Sequence, residues 1–116
     1  MNLIFVYNAE ADPMSRVLGF AHKIFRPSTY NCDLCNLTHS TLGERLLWKA
    51  FKKSTGASLS FYYRKEFENK YGEKHNYPII FVVENDRLVV LMNKQELVNC
   101  KDVEELIDSL TKQILN

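Results

Sequence analysis

The sequence predicts a single α/β domain over residues 1–116, a sandwich of helices against a mixed sheet of about four strands. Three observations lead there. Apolar runs of strand length alternate along the chain with apolar residues at helical spacing. The runs 79–83 and 88–92 flank the polar turn Glu84-Asn85-Asp86-Arg87 and read as an antiparallel hairpin. The first run, Leu3-Ile4-Phe5-Val6-Tyr7, is apolar almost throughout, as in a strand buried on both faces.

The elements follow in order. After the first strand, Asp12-Pro13 is a helix start, with Asp as the cap and Pro at the first helical position. Met14, Val17, Leu18, Ala21 and Phe25 continue at helical spacing until Pro27 stops them. Residues 26–36 read as irregular. Thr41 and Glu44 make a capping box for a second helix carrying Leu42, Leu46, Leu47, Ala50 and Phe51 and ending near Gly56. Leu59, Phe61 and Tyr63 alternate with Ser60, Tyr62 and Arg64, the pattern of a strand. A short helix over 65–71 closes at Gly72, the hairpin follows, and Val103, Leu106, Ile107, Leu110 and Ile114 form the stripe of a final helix.

Composition narrows the class without naming a task. In 116 residues, 46% hydrophobic and 25% charged side chains suit a globular domain and exclude disorder or a disulfide-dense miniprotein. Fifteen Lys and Arg against fourteen Asp and Glu leave a charge of +1, which gives no global attraction to nucleic acid or an anionic membrane. The N-terminal run lacks a basic lead and a small-residue cleavage site, and no stretch approaches the ~20 apolar residues of a membrane helix. Three cysteines, two close together and one remote, fit a secreted disulfide framework poorly. The expectation is a cytoplasmic protein with reduced thiols at rest and neither nucleic acid nor membrane as partner.

Cys32-Asp33-Leu34-Cys35 is the sharpest local signal. Two intervening residues let both sulfurs close a small ring or share one metal ion. Near an α/β pattern the pair reads as redox-active, with Cys32 and Cys35 as candidate catalytic residues and no cofactor. His22, Lys23, Arg26 and His39 are the cations that could favour a thiolate, while Asp33 opposes it. The alternative is a non-catalytic module whose Cys32, Cys35, His39 and His22 hold a structural zinc, since C-x2-C-x3-H suits that ion. A third reading is two inert buried thiols. Tyr77-Pro78 precedes an apolar strand; a cis bond there would offer the preceding backbone to an extended peptide, whereas a trans bond would merely open an edge strand. Trp48, Phe51 and Phe61-Tyr62-Tyr63 read as core and rim, the run 49–53 as a solvated helix face, and Cys100 as a small buried or capping residue at the start of the last helix.

Taken together, the strand at 59–63, the short helix ending Lys70-Tyr71-Gly72, Tyr77-Pro78 before Ile79-Ile80-Phe81-Val82-Val83, the hairpin and the last helix resemble the thioredoxin-like superfamily over about residues 30–116. The resemblance implies a thioredoxin-like three-layer sandwich with Cys32 as nucleophile, Cys35 as resolving thiol and Pro78 as a cis-proline beside them. It further implies Tyr77 and Pro78 as substrate-binding residues and a protein or small-molecule disulfide as partner. The stretch His22-Lys23-x-x-x-Pro27-x-x-Tyr30-x-Cys32-x-Leu34-Cys35 is also similar to one in a family of small uncharacterised bacterial proteins, which carries no activity over. One departure matters: in thioredoxins the CxxC directly follows a strand and opens the next helix, whereas here a helix over 12–25 is expected between the first strand and Cys32. Either that helix is an addition and the cysteines sit beside Pro78, or it is the usual active-site helix and the cysteines lie ~20 Å away at its far end.

Overall fold

The computed structural model describes residues 1–8, 33–40 and 43–115. The helix expected over 12–25, together with Cys32, His22, Lys23, Arg26 and Thr41, lies outside the described residues.

The first strand, β1 (Asn2–Tyr7), buries Leu3, Ile4, Phe5 and Val6, and its position in the sheet explains why all four are apolar. It has a neighbour on each side. β4 (Ser58–Tyr63) runs parallel to it, with Phe5 opposite Phe61 and Tyr7 opposite Tyr63. β5 (Ile79–Glu84) runs antiparallel to it, with Val6 opposite Ile79, and β6 (Arg87–Met92) completes the order β4-β1-β5-β6. The molecule is thus α/β with a four-stranded mixed sheet. β5 and β6 meet at Asn85 and Asp86, both with positive φ (52° and 63°), as the tightest hairpin turns require.

Strand alternation divides the core in two. Leu3, Phe5, Ile80 and Val82 face one way and Ile4, Val6, Ile79 and Phe81 the other. The first face is covered by α1 (Asp33–Thr38), α2 (Leu46–Ser54), α4 (Lys94–Val98) and α5 (Val103–Leu115), through Leu34, Leu37, Trp48, Leu97, Leu106 and Leu110. The second face takes α3 (Arg64–Tyr71), through Phe67. Helices therefore pack on both faces of the sheet.

Several expectations are corrected. Residues 33–38 form a helix where irregular chain was expected, because Leu34 and Leu37, three apart, both reach the core. Glu44 does not close a capping box. It belongs to β3 (Gly43–Glu44), which pairs with β2 (His39–Ser40), and the second helix starts only after Arg45. Trp48 and Phe51, read as core and rim, are inside, whereas Leu46 and Leu47, counted on the same helix, are 80% and 49% exposed. Phe5 explains the choice, meeting Trp48 edge-on at 5.6 Å and offering an aromatic wall that a leucine would fill less well. α4 was not anticipated, although Asn93 and Glu96 cap it reciprocally. Cys100 accordingly follows α4, short of the last helix, and its thiol faces the Glu96 carbonyl oxygen at 3.7 Å.

Candidate functional site

The site begins with α1. Burial of Leu34 and Leu37 anchors this helix against Trp48, Leu97 and Leu106, which leaves Cys35 half-buried at the edge of the same cluster. Cys35 is disulfide-bonded, whereas Cys100 is free. Thr38 ends the helix fully buried, its hydroxyl donating to the Leu34 carbonyl at 3.0 Å. The Thr38 carbonyl accepts from the Arg45 backbone N–H at 2.8 Å, and the Arg45 guanidinium donates to the Asn36 carbonyl through Nη2 at 3.0 Å. The chain leaving α1 is thereby tied to the start of α2.

His39 fixes where α1 sits along the sheet. Its ring meets that of Tyr7 edge-on, with centroids 6.4 Å apart. Tyr7 is the last residue of β1, and its neighbour Val6 lies opposite Ile79, which directly follows Pro78. The segment just after Cys35 and the residue Pro78 therefore stand at the same end of the sheet. Thr38 Oγ1 holds His39 Nδ1 at 2.7 Å, and Glu44 lies across the short β2–β3 ladder, ion-paired with Lys52.

The Tyr77–Pro78 peptide bond is cis and both residues are buried. The Tyr77 ring belongs to the core on the α3 face, on the other side of the sheet from the Cys35 cluster. Its hydroxyl donates to Glu68 Oε2 at 2.8 Å and accepts from the His75 N–H at 3.3 Å. Burial, reinforced by the Glu68 carboxylate, pushes the phenol up to about 12. With ring and hydroxyl committed to α3, what Tyr77 has left for a bound peptide is its backbone.

A surface groove of about 940 Å³ opens beside α1, between Leu37, Arg45 and Leu47 on one side and Leu97, Val98 and Lys101 on the other. Among the described residues, no three His, Cys, Asp or Glu side chains gather as a metal site would require, and no helix is long and apolar enough to cross a membrane. Sequence reasoning singled out Cys35, His39 and Pro78. It missed Thr38 and Tyr7, which meet His39, and Arg45, which ties Asn36 and Thr38 to the start of α2, and nothing in the spacing of those three could have revealed it. No protein-family model, curated protein or solved structure matches the chain.

Proposed function

We propose that this chain is a cytoplasmic thiol–disulfide oxidoreductase of thioredoxin-like fold, acting on a protein or small-molecule disulfide through Cys32 and Cys35. The observation that carries the reading is the disulfide at Cys35, on a helix whose following residue stands at the Pro78 end of the sheet. That placement favours the arrangement with the cysteines beside Pro78 over the one ~20 Å away. A sulfur already in a disulfide is also no thiolate, the form in which cysteine ligates zinc. The course of the chain from Ser58 onward lends further support: strand, short helix closed by Gly72, cis Tyr77–Pro78, hairpin, final helix.

In the reaction, the Cys32 thiolate attacks one sulfur of the substrate disulfide, forming a mixed disulfide and releasing the first substrate thiolate. The Cys35 thiolate then attacks Cys32 Sγ, closes the protein disulfide and expels the second. The substrate gains two electrons, the pair loses two, and a dithiol reductant resets it.

A redox titration tests this. Protein equilibrated in graded glutathione buffers and alkylated should pass from three labelled thiols to one, Cys100, with a midpoint between about −180 and −270 mV. Cys32→Ser should abolish both the transition and reductase activity. Three thiols labelled throughout, or activity unchanged in Cys32→Ser, would rule the reading out.

A further inference from the structure

The sheet has two edge strands, β4 and β6, and their side chains treat the two edges differently. At β4 the Lys52 ammonium stands over the Phe61 ring, 5.5 Å from its centroid, and Lys70 stands over Tyr62 at 5.3 Å. Lysines placed along an edge discourage another chain from adding a strand there. β6 has no such guard in its own sequence. From Leu88 to Met92 it carries no charge, proline or glycine, and Val89 and Val90 are 42% and 47% exposed.

The hairpin fixes which backbone groups of β6 face outward. With two residues in the turn, Glu84 and Arg87 are the first hydrogen-bonded pair of the ladder. Bonded and non-bonded pairs then alternate. Val83 with Leu88 is non-bonded, Val82 with Val89 bonded, and Phe81 with Val90 again non-bonded. Leu88 and Val90 therefore turn both N–H and C=O away from β5, toward the open edge. The register shift between Phe81 and Ile80 comes only beyond Val90, so this stretch of the ladder is regular.

A strand that offers its bonds at Leu88 and Val90 is complementary to itself. When two copies pair antiparallel, Leu88 of each exchanges two hydrogen bonds with Val90 of the other, and Val89 meets Val89 on the two-fold axis. The same register sets Asp86 opposite Met92 of the second copy. That brings Glu84 and Asp86, at the turn, up to the start of the second copy's α4, where Lys94 stands. Among the described residues, none of Glu84, Asp86 and Lys94 is in an ion pair within its own chain. Each end of the paired strands thus sets two carboxylates near one ammonium.

We infer that β6 is a homodimer interface, two copies joining edge to edge at Leu88, Val89 and Val90 so that their four-stranded sheets become one. The pairing covers both exposed valines and satisfies the outward backbone groups. It is also closed, since each copy spends its β6 edge on the other and no further copy can add there. The contact is short, so the dimer is weak and forms with rising concentration.

Sedimentation velocity of the full chain from about 10 to 500 µM should show a monomer–dimer equilibrium. As the dimer forms, amide hydrogen exchange should slow several-fold at Leu88 and Val90, whereas the Val89 amide, already bonded to Val82, should change little. Val89→Lys and Val89→Glu each place like charges face to face on the axis, and either alone should weaken dimerisation about tenfold or more. Mixed in equal amounts, the two variants should dimerise at least as well as the parent. Lys94→Glu should weaken the dimer several-fold. Circular dichroism checks that each variant is folded. A parent that stays monomeric throughout, with Leu88 and Val90 amides exchanging freely, would overturn the proposal and leave this edge to a strand of another protein. A dimer indifferent to Val89→Lys, or one that the mixture of the two Val89 variants fails to restore, would overturn it as well.

Discussion

Phe67 and Phe81 stack almost parallel, their ring centroids 5.2 Å apart and their planes 7° from each other. The pair joins α3 to β5, and Tyr71, Tyr77 and His75 close around it with centroids 5.0–6.4 Å from Phe67. This aromatic cluster is the core of one whole face of the sheet. The opposite face spreads its burial over four helices.

Removing Phe67 should therefore be costly. Phe67→Ala is expected to lose about 3–5 kcal/mol, a large share of the stability of a small domain. Phe67→Leu should retain more than half of that. Urea unfolding followed by circular dichroism measures both, and a loss under 1 kcal/mol for the alanine variant would show that the cluster repacks.

Tyr77 gives a pH dependence of definite sign. Its phenol holds its proton up to about 12 in the folded chain, above the ordinary value of 10. Its stabilising contribution is thus complete below pH 10 and disappears as the pH rises towards 12. Tyr77→Phe should cost about 1–2 kcal/mol at pH 8 through the lost bond to Glu68, and should flatten the fall in stability between pH 10 and 12. Chemical-denaturation midpoints at pH 8, 10 and 11.5 decide it.

Gly72 and Gly56 should respond oppositely to alanine. Gly72 ends α3 at φ 69°, its N–H donating to the Glu68 carbonyl at 2.9 Å. A side chain there has open space but the wrong backbone, so Gly72→Ala should destabilise by about 1 kcal/mol. Gly56 lies outside the left-handed region and is equally open, so Gly56→Ala should be neutral or stabilise by about 0.5 kcal/mol through the unfolded chain. Paired thermal melts would show the contrast.

Cys100 should be a slow thiol. Partial burial and then the carboxylates of Glu105, Asp102 and Glu96 push it above the ordinary thiol range. Iodoacetamide at pH 7.5 should modify it several-fold more slowly than free cysteine, and Glu105→Gln should quicken it. Because the native thiol keeps its proton to higher pH than the unfolded one, its contribution to stability is full below the ordinary thiol value and is lost as the pH climbs through the raised one. Mass-resolved alkylation rates check the first two outcomes.

How far these features could be read from the sequence depends on how many residues share each signal. The hairpin and the last helix were legible because Ile79, Val82, Leu106 and Leu110 repeat a period over a whole element. β1 was legible because burial on both faces forbids polar residues there. α4 was not, since five residues with only Leu97 buried hold too little of a helical repeat to register. On the second helix Trp48 and Phe51 are legible as core, whereas Leu46 and Leu47 stand exposed, because counting apolar residues cannot tell that Phe5, distant in sequence, takes the larger ring. At the site the cysteine pair and Pro78 announced themselves. The supports did not, because Tyr7 reaches His39, and Arg45 reaches Asn36, only once the sheet and α2 are in place.

The position of β1 also governs how the domain can assemble. Its partners on either side, β4 and β5, come from much later in the chain, so β1 waits for residues 79–83 before both its edges are paired. Until residues 79–83 are available to pair with it, that strand carries an open edge along Leu3, Ile4, Phe5 and Val6. Such sequence-distant pairing slows the search for the native state. A ribosome-bound chain stalled before β5 would hold a sticky strand and no complete core, which makes this interval the one in which a holding chaperone would be of most use.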